Sequence, residues 1–274
     1  MGILSPVRNI GNLLLRNKNI HLHLMTPIIK KVAVQIPNEA YIQTMAYDNH
    51  LVHAVRTGAW VERLKHENAP VQYEIYWFTT GRLLTQMARE KLVREARDRG
   101  MDYVIQYDDD MLLPPDFVQR MLETMEQNKH INVLGALAFM RTAPHYPVLY
   151  TVTEGYDTVR QQEYYFNQTV KRYPKDTLIE CDAIGFGGVC IDMNFVRNKM
   201  KEPYFMSTTQ TGEDIWFCVQ AKEAGGRVFM DTRIKLGHIK NPEVIDEEGF
   251  DKWVKETKHD LGEEIPHKYT QYDK

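Results

Sequence analysis

From residue 32 onward the apolar positions of the chain switch repeatedly between the two-residue period of a strand and the three-to-four-residue spacing of a helix. That alternation predicts an α/β layer rather than separate α and β domains. Val32 to Ile36 reads as a strand stopped by Pro37-Asn38-Glu39, and Ile42, Met45, Ala46, Leu51, Val52 and Val55 recur at helical intervals within residues 40 to 65, with Gly58 as a candidate break. Val71 to Phe78 is β-branched and aromatic, as a strand requires. Between Arg82 and Arg99, Leu84, Ala88, Leu92 and Ala96 form one four-residue row with Met87 and Val93 beside it, and Gly100 stops the helix. Tyr103 to Tyr107 reads as a strand that runs straight into Asp108-Asp109-Asp110. Pro114-Pro115 suit the first turn of a helix with Phe117, Met121, Leu122 and Met125 on its apolar face, and Ile131 to Phe139 reads as a further strand. Such a doubly wound half takes its ligands at the carboxyl ends of its strands, where the three aspartates stand.

The second half is less regular. Residues 140 to 176 hold Pro144, Pro147 and many tyrosines with weak periodicity, and read as a long excursion covering one side of a site. Leu178 to Cys181 and Phe186 to Ile191 read as strands around Gly185-Phe186-Gly187-Gly188, and Asn194 to Met200 as a short helix. Gly212-Glu213-Asp214 opens a helix from Ile215 to Ala224, Gly225-Gly226 close it, and Arg227 to Met230 forms a strand. A charged tail with a helical piece near Phe250 to Lys258 follows. The expected organisation is an N-terminal extension (1–31), one domain (32–240) and a tail packed on it (241–274).

Composition narrows the classes. The 274 residues are 43% hydrophobic and 26% charged, with only 16 glycines and 12 prolines, which excludes disordered and collagen-like chains. Thirty-four basic against 37 acidic residues leave a net charge of −3, so no chain-wide basic footprint for nucleic acid exists. Cys181, Cys190 and Cys218 lack metal or redox spacing and read as core thiols, which suits a reducing, cytoplasmic setting. No stretch approaches the roughly 18 to 20 apolar residues of a spanning helix. Residues 1–26, with Leu4, Val7, Ile10 and Leu13 to Leu15 among Arg8, Arg16 and Lys18, carry too short an apolar run for a secretory signal. They suit a docked helix, an extension, or a basic amphipathic helix in peripheral contact with a membrane.

Three successive aspartates at a cleft repel one another unless a cation compensates, and hard carboxylate oxygens suit Mg²⁺ or Mn²⁺. In an extended segment Asp108 and Asp110 point to one side and Asp109 to the other. The plain alternative is a turn that caps the following helix. His238 after Lys235-Leu236-Gly237 is a candidate nitrogen ligand or an ordinary satisfied histidine. Glu213 and Asp214 stand in the first turn of a helix, where the macrodipole favours negative charge without any further role. Being about 100° apart, only one of them faces a given reacting atom.

Val32 to Pro37, Met87-Ala88-Arg89, Tyr103 to Asp110, Gly185 to Ile191, Gly212-Glu213-Asp214 and Gly237-His238, in that order, resemble the GT-A fold glycosyltransferases, especially family 2 nucleotide-diphospho-sugar transferases. The resemblance spans about residues 32 to 240 and implies a Rossmann-like three-layer α/β/α sandwich with a mostly parallel central sheet. It implies metal-dependent transfer of a sugar from a nucleotide-diphosphate donor, a UDP- or GDP-sugar foremost. The acceptor would be a hydroxyl on a glycan, a lipid-linked sugar or another molecule. Asp108 and Asp110 match the ends of the DxD motif that holds the divalent ion (Mn²⁺ or Mg²⁺), and His238 matches a further metal ligand of several members. Asp214, with Glu213 second, matches the acceptor-activating base, which favours inversion. Pro37, Asn38, Arg89, Asp108 and Asp109 are then expected to contact the nucleotide, and Arg141, Gly187 and Gly188 the donor sugar or acceptor. A strand-edge bend accounts equally well for the glycines, and a surface position for Arg141. Glu90 stands where many relatives have Asn, and the QxxRW pattern of processive synthases is absent, so a single addition is expected. A nucleotidyltransferase would need a Gly-rich loop where Pro37-Asn38-Glu39-Ala40 stands, and a haloacid-dehalogenase-like phosphatase would carry its aspartates after the first strand. A GT-A-like module that binds a nucleotide sugar or glycan without turnover is the non-enzyme alternative.

Overall fold

The computed structural model describes residues 27–35, 44–79, 83–157, 162–208, 211–240 and 243–263. Pro37, Asn38 and the segment 1–26 lie outside the described residues. The first half contains β1 (Ile28–Gln35), α1 (Thr44–His66), β2 (Val71–Phe78), α2 (Thr85–Asp98), β3 (Tyr103–Tyr107), β4 (Met111–Leu112), α3 (Phe117–Gln127) and β5 (Val133–Leu137). The second contains β6 (Leu149–Asp157), β7 (Gln162–Thr169), β8 (Leu178–Cys181), β9 (Ala183–Ile184), β10 (Gly188–Asp192), α4 (Met193–Lys199) and α5 (Glu213–Glu223). It ends with β11 (Val228–Lys235), β12 (Gly237–Lys240), β13 (Glu243–Ile245) and α6 (Glu247–Thr257).

The central sheet has seven strands in the order β2-β1-β3-β10-β5-β11-β8. β2, β1, β3, β5 and β11 run one way, while β10 and β8 run against them. The mostly parallel α/β sheet expected from the sequence is thus present. Every residue of β3 and β5 is buried, as strands covered on both faces must be. Val104 of β3 joins one core cluster with Leu92 and Ala96 of α2, Val196 of α4 and Phe217 of α5. Tyr103, Ile105 and Tyr107 join another with Trp60 of α1 and Phe117, Met121 and Leu122 of α3. Helices therefore cover both faces and give three layers. The chain winds from β1 to β2 on one side and crosses to β3 on the other, so the crevice at the carboxyl ends of β1 and β3 is a topological switch point. Cys181, Cys190 and Cys218 are buried free thiols, as expected.

Several boundaries differ from the sequence reading for physical reasons. β1 begins at Ile28 rather than Val32, because its first four residues pair with Val71 to Glu74 of β2 although Ile28 and Ile29 stay exposed. Gly58 does not break α1, which runs on unbroken through it. The excursion at 140–176 contains a hairpin, β6 paired with β7 from Tyr150↔Thr169 to Asp157↔Gln162, and β9 extends it. Leu149 is buried but Phe166 is 60% exposed, so the hairpin packs at its base and needs no continuous apolar face. β11 passes beyond Met230 because the buried Asp231 is satisfied by Thr124 Oγ1 at 3.0 Å and by the Arg233 guanidinium.

The inward face of α1 is unexpectedly polar. His53 is fully buried, with Nε2 3.2 Å from the Tyr107 hydroxyl and its ring edge-on to Tyr107, Phe117 and Trp77. Burial, with the neighbouring His50 second, pushes its pKa down to about 4. Between the unfolded value near 6.5 and 4, the unfolded chain binds a proton that the native state refuses, so stability falls as pH drops through that window. The expected loss is on the order of 3 kcal/mol. Urea unfolding at pH 7.5 and 4.5 measures it, and His53→Gln flattens the dependence.

Candidate active site

Asp108, Asp109 and Asp110 follow β3 into the switch-point crevice. The backbone there is a turn, closed by Met111 N donating to the Asp108 carbonyl at 3.3 Å. It is anchored on several sides. Asp108 N donates to the Gly187 carbonyl at 3.2 Å, and Ile239 N donates to the Asp110 carbonyl at 2.9 Å. β4 pairs with β12, setting His238 opposite Met111. From α1, His50 Nε2 donates to the Met111 carbonyl at 2.8 Å, while Asn49 bonds the Leu113 backbone through both its amide atoms, at 2.7 and 2.8 Å. The alternation expected of an extended segment therefore does not apply. Asp108 turns to Arg89, and Asp110 turns to His238 and Arg141. Nor do these aspartates cap α3, whose N-cap is Asp116.

Asp110 Oδ2 lies 3.1 Å from His238 Nε2 and 3.2 Å from Arg141 Nη1. His238 Nδ1 is 2.7 Å from the Phe139 carbonyl. A carbonyl only accepts, so Nδ1 carries a proton, and in neutral imidazole Nε2 presents its lone pair to the Asp110 carboxylate. Two facing acceptors need a cation between them, either a proton on His238 or an ion. Burial alone would lower the His238 pKa, but the Asp110 hydrogen bond and the Phe139 carbonyl hold it above its ordinary value. Burial alone would raise Asp110, but His238 and Arg141 hold it below the ordinary carboxylate range. An imidazole nitrogen oriented by a carbonyl beside a carboxylate oxygen is a donor pair that fits Mn²⁺ or Mg²⁺. Among the described residues, no group of three or more His, Cys, Asp or Glu side chains is already arranged to hold an ion. Asp108 in particular is engaged elsewhere.

Arg89, on α2, is 5% exposed. Its Nη2 donates to Asp108 Oδ1 at 2.8 Å, its Nη1 donates to the Phe186 carbonyl at 3.1 Å, and its Nε stands 3.3 Å from Glu213 Oε1. Its guanidinium carbon lies 5.3 Å from the centre of the Phe186 ring. A nucleotide cannot reach a guanidinium so enclosed, so the expected direct contact from Arg89 is corrected to a place beneath the site. Burial raises the Asp108 pKa to about 6; Arg89 opposes that rise, whereas Asp110, Asp214 and Asp109 add to it. Burial also raises Asp109, which is half-buried.

Glu213 and Asp214 open α5 behind Gly212. A Cβ on Gly212 would lie 2.8 Å from Asp214 Oδ1, so the absent side chain makes room for that carboxylate. Asp214 Oδ1 accepts from Ile215 N at 2.8 Å. Burial raises its pKa against the opposing charge of Arg89, which makes it a better proton acceptor than an ordinary carboxylate. Glu213 is turned to Arg89, and Ser207 Oγ donates to its other oxygen at 3.5 Å.

Gly187 and Gly188 do not line the site. Both are buried, and a Cβ on Gly187 would lie 2.9 Å from Met111 Cε, while one on Gly188 would lie 2.7 Å from Leu236 Cδ1 and 3.1 Å from Phe117 Cζ. Their glycine identity serves close core packing under the acidic turn, which corrects their expected substrate contact. Arg141 keeps 54% of its side-chain surface and stands 3.2 Å from Asp110 in the segment that follows β5. The structure thus gathers Asp108, Asp110, His238, Arg141, Glu213 and Asp214 around one crevice. It also adds Asn49 and His50, polar residues on a helix of mixed pattern that carried no separate sequence signal. Tyr150 at the base of the β6–β7 hairpin joins them, its hydroxyl held above its ordinary pKa by burial and by the charge of Asp214.

No protein-family profile and no curated protein matches the sequence. Among solved structures, the chain is similar to the protein A197 from STIV, with 14% identity, 80% of this chain and 91% of that chain covered, and a TM-score of 0.48. It is similar to the catalytic domain of Drosophila β1,4-galactosyltransferase 7 in complex with xylobiose, with 16% identity, 77% and 71% covered, and a TM-score of 0.41. A UDP-glucose pyrophosphorylase complexed with UDP-glucose is similar at 7% identity, with 84% and 99% covered and a TM-score of 0.40. Among the described residues no helix is long and apolar enough to cross a membrane.

Proposed function

We propose that the protein is a GT-A-like glycosyltransferase that moves a sugar from a nucleotide-diphosphate donor to an acceptor hydroxyl, with inversion. The observation that carries this reading is the meeting of His238 Nε2, Arg141 and Asp110 Oδ2 at the carboxyl end of β3, beside Asp108, on which the charge of Asp214 also acts. Asp110 and His238, with Asp108 through the oxygen that Arg89 does not engage, would hold a Mn²⁺ or Mg²⁺ ion. When bound, such an ion neutralises the diphosphate and the charge that develops on it as it leaves.

The chain's own residues do the rest. Arg141, exposed beside Asp110, is placed to pair with a phosphate oxygen and to keep the diphosphate at the acidic turn. Asp214 takes the proton of the acceptor hydroxyl as its oxygen attacks the anomeric carbon from the face opposite the leaving diphosphate. Its burial raises its basicity, and the charge of Arg89 opposes that rise. Glu213, tied to Arg89, orients the start of α5 rather than serving as the base. A cytoplasmic setting and peripheral membrane contact through residues 1–26 belong to the same proposal.

The test is release of nucleoside diphosphate from UDP-, GDP- and dTDP-sugars, and of CMP from a CMP-sugar, with an acceptor library, in Mn²⁺, in Mg²⁺ and in chelator. The expected result is release from one donor that chelator abolishes and one acceptor accelerates. Equal, negligible release from every donor under every metal condition would refute it.

A further inference from the structure

We infer that Arg89 is a positioning residue, a buried strut that ties the acidic turn to the amino end of α5 and so holds the two halves of the reaction centre in one geometry. The inference rests on the proposed transferase reading for what each half does, but the strut itself is a matter of contacts. Asp108 comes from the turn after β3 and Glu213 from the first turn of α5, and no backbone pairing joins those two elements in the sheet. One guanidinium spans them, at 2.8 Å to Asp108 and 3.3 Å to Glu213, and a third arm reaches the Phe186 carbonyl in the segment leading into β10 at 3.1 Å. Two of these contacts are hydrogen bonds from the ends of the planar fork, and the remaining one, Nε to Glu213, is an ion pair outside hydrogen-bond geometry; a lysine ammonium on its flexible stem cannot reproduce the forked pair.

The electrostatics point the same way. Arg89 is the charge that lowers both Asp108 and Asp214, against Asp110, Asp214 and Asp109, which raise Asp108, and Glu213, which raises Asp214. A buried ion-pair network of this kind is seldom more stable than an apolar replacement of the same shape. What it supplies instead is one arrangement of charge, with the donor-binding turn and the α5 carboxylates referred to a common cation.

A double-mutant cycle tests the strut without any substrate. Because its surroundings raise Asp108 to about 6 even with Arg89 present, Asp108→Asn at neutral pH is expected to leave the folding equilibrium constant unchanged or to raise it modestly in the Arg89 background. In the Arg89→Met background the same change is expected to raise it about tenfold or more beyond that, because it removes a carboxylate left beside Asp109, Asp110 and Asp214 without its cation. Equal effects of Asp108→Asn in both backgrounds would overturn the inference. Should Arg89→Met not fold, the cycle is run with Arg89→Lys, where Asp108→Asn is expected to favour folding severalfold more than it does in the Arg89 background.

The functional readout uses Arg89→Lys and donor titration in Mn²⁺ on the folded protein. Weakened donor affinity together with reduced turnover at saturating donor is expected, since both halves lose their reference. Wild-type values for both would overturn the positioning role. If the wild type binds no nucleotide sugar, the transferase reading fails, and the unfolding cycle still decides whether Arg89 couples the two elements.

Discussion

Replacing Asp214 by asparagine is expected to leave nucleotide-sugar binding within a few-fold of wild type and to lower transfer to the acceptor by about 10² to 10⁴. Asparagine keeps the shape of the side chain, and its amide oxygen still accepts from Ile215 N, so α5 starts as before. What disappears is the group that takes the acceptor proton. Turnover in the wild type is expected to fall at low pH with a midpoint above the ordinary carboxylate range, because burial raises Asp214. Donor titration together with steady-state transfer checks both halves of this expectation. A parallel fall in donor affinity and turnover would move Asp214 from chemistry to structure.

Asp110→Asn is expected to act earlier. It removes the charge on which His238 and Arg141 converge, and metal-dependent donor affinity should fall by at least about 100-fold, beyond the usual cost of altering a residue that only supports a ligand. Binding in the presence of chelator should change little, because wild type under chelator lacks the same interaction. Calorimetric titration of the donor with and without Mn²⁺ separates the two effects. An equal loss with and without metal would assign Asp110 to direct donor contact alone.

Much of this site was legible before any coordinates. A buried apolar strand ending in three like charges is a costly arrangement, and the pattern of Tyr103 to Asp110 announced both the strand and its acidic end. Gly212-Glu213-Asp214 signalled a helix start, and the helix starts there. Gly187 and Gly188 were misread because the lack of a Cβ is demanded equally by a nearby ligand and by a nearby Leu236 or Phe117, and the chain pattern does not distinguish them. Arg89 was misread for a related reason. It lies beside the apolar row of α2, and only the approach of Asp108, Phe186 and Glu213, all far away in sequence, makes its burial tolerable. The β6–β7 hairpin was hidden because only its base meets the core. The clamp from Asn49 and His50 was hidden because side-chain bonds to a distant backbone leave no period in the sequence.

The most direct test of the central claim is the binding of UDP and GDP to wild type and Asp110→Asn, each titrated with Mn²⁺ present and absent. Linkage requires that an ion shared between Asp110, His238 and the diphosphate make each ligand tighten the other by the same factor. The account predicts that reciprocal tightening in wild type and its loss in Asp110→Asn. Nucleotide binding indifferent to Mn²⁺, or equally strengthened by it in both proteins, would contradict the assignment of this crevice to a metal-bound nucleotide diphosphate.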